Sequence, residues 1–100
     1  MSILVRYQEV GMTRQQYDDV GSLLEQGEFP PAGLELHVLF GEEGSLRVSE
    51  VWASADQQRA FNDETLLPVL KQVGVQLSGP PETLQVHELF QFSKGAPNDY

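Results

Sequence analysis

Between Leu34 and Ala53 the hydrophobic period is two, and this stretch constrains the fold more than any other. Leu34, Leu36, Val38 and Phe40 alternate with Glu35, His37 and Leu39, and after Gly41-Glu42-Glu43-Gly44 the alternation resumes from Ser45 to Ala53. Two such runs around a short glycine-containing turn predict a β-hairpin. On either side the period becomes helical. Thr13 with Gln16 has capping-box spacing, and Tyr17, Val20, Leu23 and Leu24 form an apolar stripe that Gly27 ends. Glu28-Phe29-Pro30-Pro31-Ala32-Gly33 cannot prolong that helix, because proline lacks a donor and pushes the preceding residue out of helical dihedrals. Ser54 with Gln57 repeats the cap spacing, and Ala60, Phe61, Leu66, Leu67 and Leu70 supply a second stripe as far as Gly74. Within it, Pro68 predicts a kink or break between Asp63 and Thr65, with Thr65 capping a fresh turn. Ser2 to Val10 reads as a first strand and Thr83 to Phe92 as a last one.

The resulting order, β-α-β-β-α-β, predicts an α+β, ferredoxin-like domain: a four-stranded antiparallel sheet with both helices on one face. One domain over residues 1–92 accounts for the pattern, followed by a flexible polar tail over 93–100. At 100 residues the chain hides only about 60–70% of its unfolded surface. A second copy covering the open sheet face would enlarge the core.

Composition narrows the partners. Six Lys and Arg against fifteen Asp and Glu leave a formal charge of −9, and the six are scattered, which argues against nucleic acid and anionic membranes. Without cysteine there is no disulfide framework, thiol nucleophile or thiolate metal site. The start of the chain lacks the basic flank and apolar run of a signal peptide, and no apolar stretch is long enough to span a bilayer, so a cytoplasmic protein is expected.

Parity divides the hairpin. With a turn over Gly41–Gly44, Phe40 opposes Ser45 and His37 opposes Val48, on the face that also holds Leu46, Glu50 and Trp52. The other face carries Leu34, Leu36, Val38, Phe40, Val51 and Ala53, with Arg47 near the turn. Being the more apolar, this second set is expected beneath the helices, and the mixed set on the open face as the lining of a pocket. By the same count Leu84, Val86, Phe90 and Phe92 face the helices and His87 the open side. On the first strand Arg6, rather than Tyr7, is expected to face the pocket.

Several stretches carry a resemblance: Gly11-Met12-Thr13 with Gln16-Tyr17-Asp18, Pro31-Ala32-Gly33-Leu34 with His37-Val38, Arg47-Val48 with Val51-Trp52-Ala53-Ser54, Ala60-Phe61, and Leu66-Leu67-Pro68. Together, over about Gly11 to Phe92, they resemble a family of short bacterial proteins similar to the antibiotic-biosynthesis-monooxygenase-like proteins of the dimeric α/β barrel superfamily. The resemblance implies a homodimer that joins two sheets face to face into a barrel, with a small-molecule cavity within the barrel or between each sheet and its helices. It also implies that Trp52, near the end of the third strand, sits at the pocket. Relatives include cofactor-free monooxygenases of polycyclic phenols and haem-degrading enzymes. The latter use a first-strand asparagine and a second-helix histidine; Arg6 and Tyr7 stand near the first place and Ala55 to Gln72 contain no histidine, which argues against haem.

The candidate site therefore comprises His37 and His87 as catalytic base and partner, with Trp52, Glu50 and Arg6 binding the ligand. Imidazole titrates near neutrality and suits removal of a phenolic or enolic proton. The other reading of both histidines is as hydrogen-bonding groups at a subunit interface. The two lie on strands at opposite edges of one sheet, so any approach between them would involve the other subunit. Trp52 either stacks on an aromatic ligand or fills the core. Glu50 either serves as an acid or base or pairs with Arg6, which itself either holds a ligand carboxylate or phenolate or only bridges to Glu50. No metal site and no cofactor are expected: the histidines show no local ligand spacing. The function expected is binding or processing of an apolar or aromatic small molecule, of cofactor-free monooxygenase type. The alternative is a non-catalytic dimerisation or ligand-binding module.

Overall fold

The structure, a computed structural model, describes residues 1–8 and 11–92. Four strands, β1 (Ile3–Tyr7), β2 (Leu34–Phe40), β3 (Arg47–Trp52) and β4 (Glu82–Gln85), form one sheet in the order β2-β3-β1-β4, with every neighbouring pair antiparallel. Helix α1 (Arg14–Glu25) and the α2 (Ala55–Phe61), π-helical (Asn62–Leu66), α3 (Leu67–Val73) succession fill the two helical places of the pattern. This is the α+β ferredoxin-like fold that the periodicities predict.

The helix ends follow their local chemistry. Thr13 Oγ1 accepts from the Gln16 backbone N–H at 3.1 Å while Gln16 Oε1 accepts from the Thr13 N–H at 2.9 Å, completing the capping box. Ser54 Oγ accepts from the Gln57 N–H at 3.2 Å. Gly74 closes α3 in the left-handed region, at φ 90°, and the next N–H, of Val75, reaches back to the Leu70 carbonyl at 2.9 Å. The helix does not break at Pro68, and Thr65 caps no new turn. Instead, the Leu67 N–H bonds to the Asn62 carbonyl five residues back, and the backbone stays right-handed through Leu66 and Leu67. Widening the turn to the π spacing just before Pro68 absorbs the missing donor and the crowding of its ring against the preceding turn.

The hairpin keeps its parity but not its register. His37 opposes Glu50 and Phe40 opposes Arg47, two residues further along β3 than the tight turn predicts. A shift of two leaves every side chain on its predicted face, whereas a bulge between Leu34 and Leu36 turns Leu34 onto the His37 side.

Which face the helices take is the reverse of the expectation. Val5, Tyr7, Val48 and Trp52 form the core with Val20 of α1 and Leu70 of α3, so the face that holds His37 and Glu50 lies under the helices. The more apolar set, apart from Leu34, is on the open face, with Val38 41%, Phe40 39% and Leu84 41% exposed. Counting apolar residues chose wrongly because both faces of this sheet are apolar, and the helix-covered one tolerates polar groups that satisfy one another. β4 is shorter than predicted: its neighbour β1 begins at Ile3, and the last bond, from the Val86 N–H to the Ser2 carbonyl, lies just before it. The end of the predicted first strand at 9–10 and the predicted tail at 93–100 lie outside the described residues.

Two glycines separate backbone strain from collision. At Gly74 a Cβ would meet nothing within 4 Å, but at Gly41, with φ +100°, it would lie 2.6 Å from the Ser45 carbonyl oxygen. Gly74→Ala is expected to cost about 1 kcal/mol and Gly41→Ala about 2–3 kcal/mol in urea unfolding. Equal losses would contradict this description of the hairpin turn.

Candidate functional site

The site grows from one pair in the hairpin. Because His37 and Glu50 are opposite each other on β2 and β3, their side chains rise side by side on the helix-covered face, and Trp52 follows Glu50 on that face. Glu50 is only 7% exposed and Trp52 is fully buried. A buried carboxylate is tolerated when donors meet both oxygens. Here the Trp52 indole Nε1–H donates to Glu50 Oε1 at 3.0 Å, and His37 Nδ1 lies 2.7 Å from Glu50 Oε2. A carboxylate oxygen accepts, so in this pair Nδ1 is the donor. In a neutral imidazole Nε2 is then left as an acceptor, and the Tyr17 hydroxyl of α1 stands 2.7 Å from it. The result is a chain, Trp52–Glu50–His37–Tyr17, with the tyrosine and histidine rings stacked at 6.0 Å.

This chain borders a cavity of about 600 Å³ between sheet and helices. Val20, Leu24, Leu34, Val48, Phe61 and Leu70 give it an apolar wall, and Tyr7, Tyr17, His37 and Glu50 bring polar groups to it. Few polar groups in an apolar hollow of this size are what small-molecule sites present. The Tyr7 hydroxyl accepts from Gln58 Nε2 at 3.3 Å. Burial, reinforced by the Glu50 charge and opposed by the Gln58 hydrogen bond, pushes its pKa from 10.0 up to about 12. Tyr17 is also raised, first by burial; Arg14 opposes the shift, while Glu50 and Asp18 add to it. Both phenols are thus held neutral.

No family model and no curated protein matches this sequence. Solved structures do match it. A protein of unknown function from Nitrosomonas europaea superposes with a TM-score of 0.58 at 17% identity, over 92% of this chain and 93% of that one. A candidate antibiotic biosynthesis monooxygenase from Chloroflexus aurantiacus superposes with a TM-score of 0.54 at 14% identity, over 89% and 95%. The chain shares the α+β ferredoxin-like fold of these two structures. At such identities the likeness is one of fold.

On this fold the predicted residues separate into two groups. His37, Glu50 and Trp52 come together. Arg6 does not join them: it lies on the open face, 3.4 Å from Glu82, and Tyr7 takes the cavity position instead. The alternation that buries Val5 also buries Tyr7 and turns Arg6 away. His87 is exposed beyond β4, at the sheet edge opposite β2. Trp52 packs its ring on Phe61 at a centroid distance of 5.5 Å, and Phe61 presents the aromatic wall to the cavity. Among the described residues no three His, Asp or Glu side chains converge as a metal site would require. The sequence places Tyr17 on an apolar helical stripe and Tyr7 on a strand; the signal for a role at the site is that a tyrosine on a buried stripe needs a partner for its hydroxyl.

The shift at Tyr7 sets an alkaline limit. Because the folded pKa lies above the ordinary value, the stabilisation it brings is complete below pH 10.0 and is lost as pH rises through about 12. The ultraviolet difference between wild type and Tyr7→Phe is expected to show its phenolate step near pH 12, with the stability gap between them falling over the same interval. A step at pH 10 would contradict the burial of this hydroxyl.

Proposed function

We infer that the protein binds, and oxidises without a bound cofactor, an apolar or aromatic small molecule carrying a phenolic or enolic hydroxyl. The observation that carries this reading is the Glu50–His37–Tyr17 chain ending at a largely apolar cavity of about 600 Å³. A histidine backed by a buried carboxylate is a base whose protonated form is stabilised where it stands. Loss of the hydroxyl proton makes the ligand's conjugated carbon electron-rich, so the ligand itself is the reductant. That carbon adds dioxygen, and the resulting hydroperoxide loses water; a CH2 group and O2 become C=O and H2O. The fold likeness to a candidate antibiotic biosynthesis monooxygenase agrees with this class of chemistry.

The active form in this reading is a homodimer. Val38 and Phe40 on β2 and Leu84 on β4 are exposed apolar side chains on the open face, and a second copy presenting the same face is its natural cover. Assembly and ligand binding then use opposite faces of one sheet.

Gly21 offers a test of the cavity. It lies within α1, lines the hollow, and a Cβ there would meet nothing within 4 Å. Gly21→Leu is expected to stabilise the helix by about 0.5–1 kcal/mol. The same side chain should weaken binding of 1-naphthol, followed by calorimetry, by at least about tenfold, the equivalent of 1.4 kcal/mol. Undiminished binding in the variant, or none to wild type, would remove the cavity reading. Oxygen uptake with enolisable polycyclic phenols tests the reaction; binding without uptake would favour a non-catalytic ligand-binding module. For the assembly, Val38→Asp is expected to halve the mass measured by light scattering without loss of helical circular dichroism, and an unchanged mass would refute the open-face dimer.

A further inference from the structure

Neither nitrogen of His37 is free to meet a ligand. Nδ1 is held by Glu50 at 2.7 Å, and Nε2 by the Tyr17 hydroxyl at 2.7 Å. The oxygen that ends the chain on the cavity side is that of Tyr17. We propose that the Tyr17 hydroxyl is the catalytic group that receives the ligand's proton, with His37 behind it as the proton's destination and Glu50 as the charge that holds it there. This rests on the reading of the cavity as the binding site for a phenol or enol.

Charge around the cavity supports the assignment. Its lining includes the carboxylates of Asp18, Glu25 and Glu50 and, among the described residues, no lysine or arginine. Arg14 lies outside that lining, where it bonds to Asp18 at 3.1 Å and covers the Tyr17 ring from 5.9 Å. With carboxylates and no cation at the wall, a phenol is favoured over its phenolate on the way in. The proton must therefore leave inside the cavity, at the polar chain.

When Tyr17 donates to Nε2, its oxygen retains lone pairs that accept the ligand's O–H. As that O–H bond breaks, the proton joins the Tyr17 oxygen, while the proton already on Tyr17 moves to Nε2. The ligand is left as the oxyanion, Tyr17 is again a neutral hydroxyl that now donates to it, and the imidazolium faces the Glu50 carboxylate. Each bond broken has one formed, and the negative charge never rests on the tyrosine. Its raised pKa accords with this: the phenol conducts the proton and does not store the charge.

4-Nitrophenol, which turns yellow when it loses its proton near neutrality, reports the transfer directly. It is titrated onto wild type and Tyr17→Phe at a pH below its free midpoint, with binding followed by calorimetry and ionisation by absorbance. Wild type is expected to bind it and raise the yellow fraction. In Tyr17→Phe the yellow fraction of the bound ligand should fall about tenfold, as loss of one hydrogen bond to a charged group implies. An unchanged or increased yellow fraction in the variant would overturn the proposal, because His37 would then be taking the proton itself and Tyr17 merely occupying its nitrogen. Absence of binding to wild type would instead remove the ligand reading beneath it. Should Tyr17→Phe fail to fold, wild type labelled with 3-fluorotyrosine serves, with Tyr7→Phe assisting assignment. The Tyr17 fluorine resonance is expected to shift in step with the yellow colour, and a resonance that stays in place overturns the assignment.

Discussion

A buried carboxylate in the middle of a sheet has to be met by donors, and Glu50 is where this structure meets that demand. Its two oxygens accept from Trp52 and His37, at 3.0 and 2.7 Å. Satisfying the first orients the only indole of the chain, whose ring then packs on Phe61. Satisfying the second selects the imidazole tautomer and turns Nε2 towards α1, where Tyr17 completes the series. Removing the carboxylate would leave the indole N–H buried and unpaired, a loss of about 1–3 kcal/mol for that group alone. One acidic residue on a central strand thus holds together the core, the histidine and the polar side of the cavity.

The arrangement also separates the two tasks of the sheet. Its helix-covered face leaves a hollow where α1 and α3 stand over β2 and β3, and the polar groups gather there. The open face carries Val38, Phe40 and Leu84 and has no helix above it. Side chains at alternate positions of the same strands serve each face, so a change at Val38 and a change at His37 act on different surfaces although one residue number separates them. The structural relatives share this scaffold over about nine-tenths of their length while keeping fewer than one residue in five, as expected where layer packing sets the fold and individual side chains set the site.

Much of the architecture was legible because it depends on neighbours in sequence. Thr13, Ser54 and Gly74 act at helix ends through bonds to residues within a few positions, and the alternation around His37 and Glu50 places both on one face whichever even register the hairpin adopts. The candidate site was legible in part. His37, Glu50 and Trp52 could be grouped by parity, whereas Tyr17 comes from an element twenty positions away and meets His37 only once α1 has packed. Arg6 was misplaced because its strand alternates between two similarly apolar faces, and His87 because β4 ends sooner than its β-prone residues suggest.

The sequence by itself determined the order of the elements, their caps and the parity of the hairpin, since hydrophobic period and terminal hydrogen bonds are local properties of the chain. Only the tertiary structure decided which face the helices would cover, the register of the hairpin, the π turn ahead of Pro68 and the meeting of Tyr17 with His37. Those outcomes turn on how layers close over one another and on where buried donors find acceptors. Apolar counts weigh each strand separately, whereas the buried Glu50 carboxylate is tolerable only because residues from two strands reach it at once.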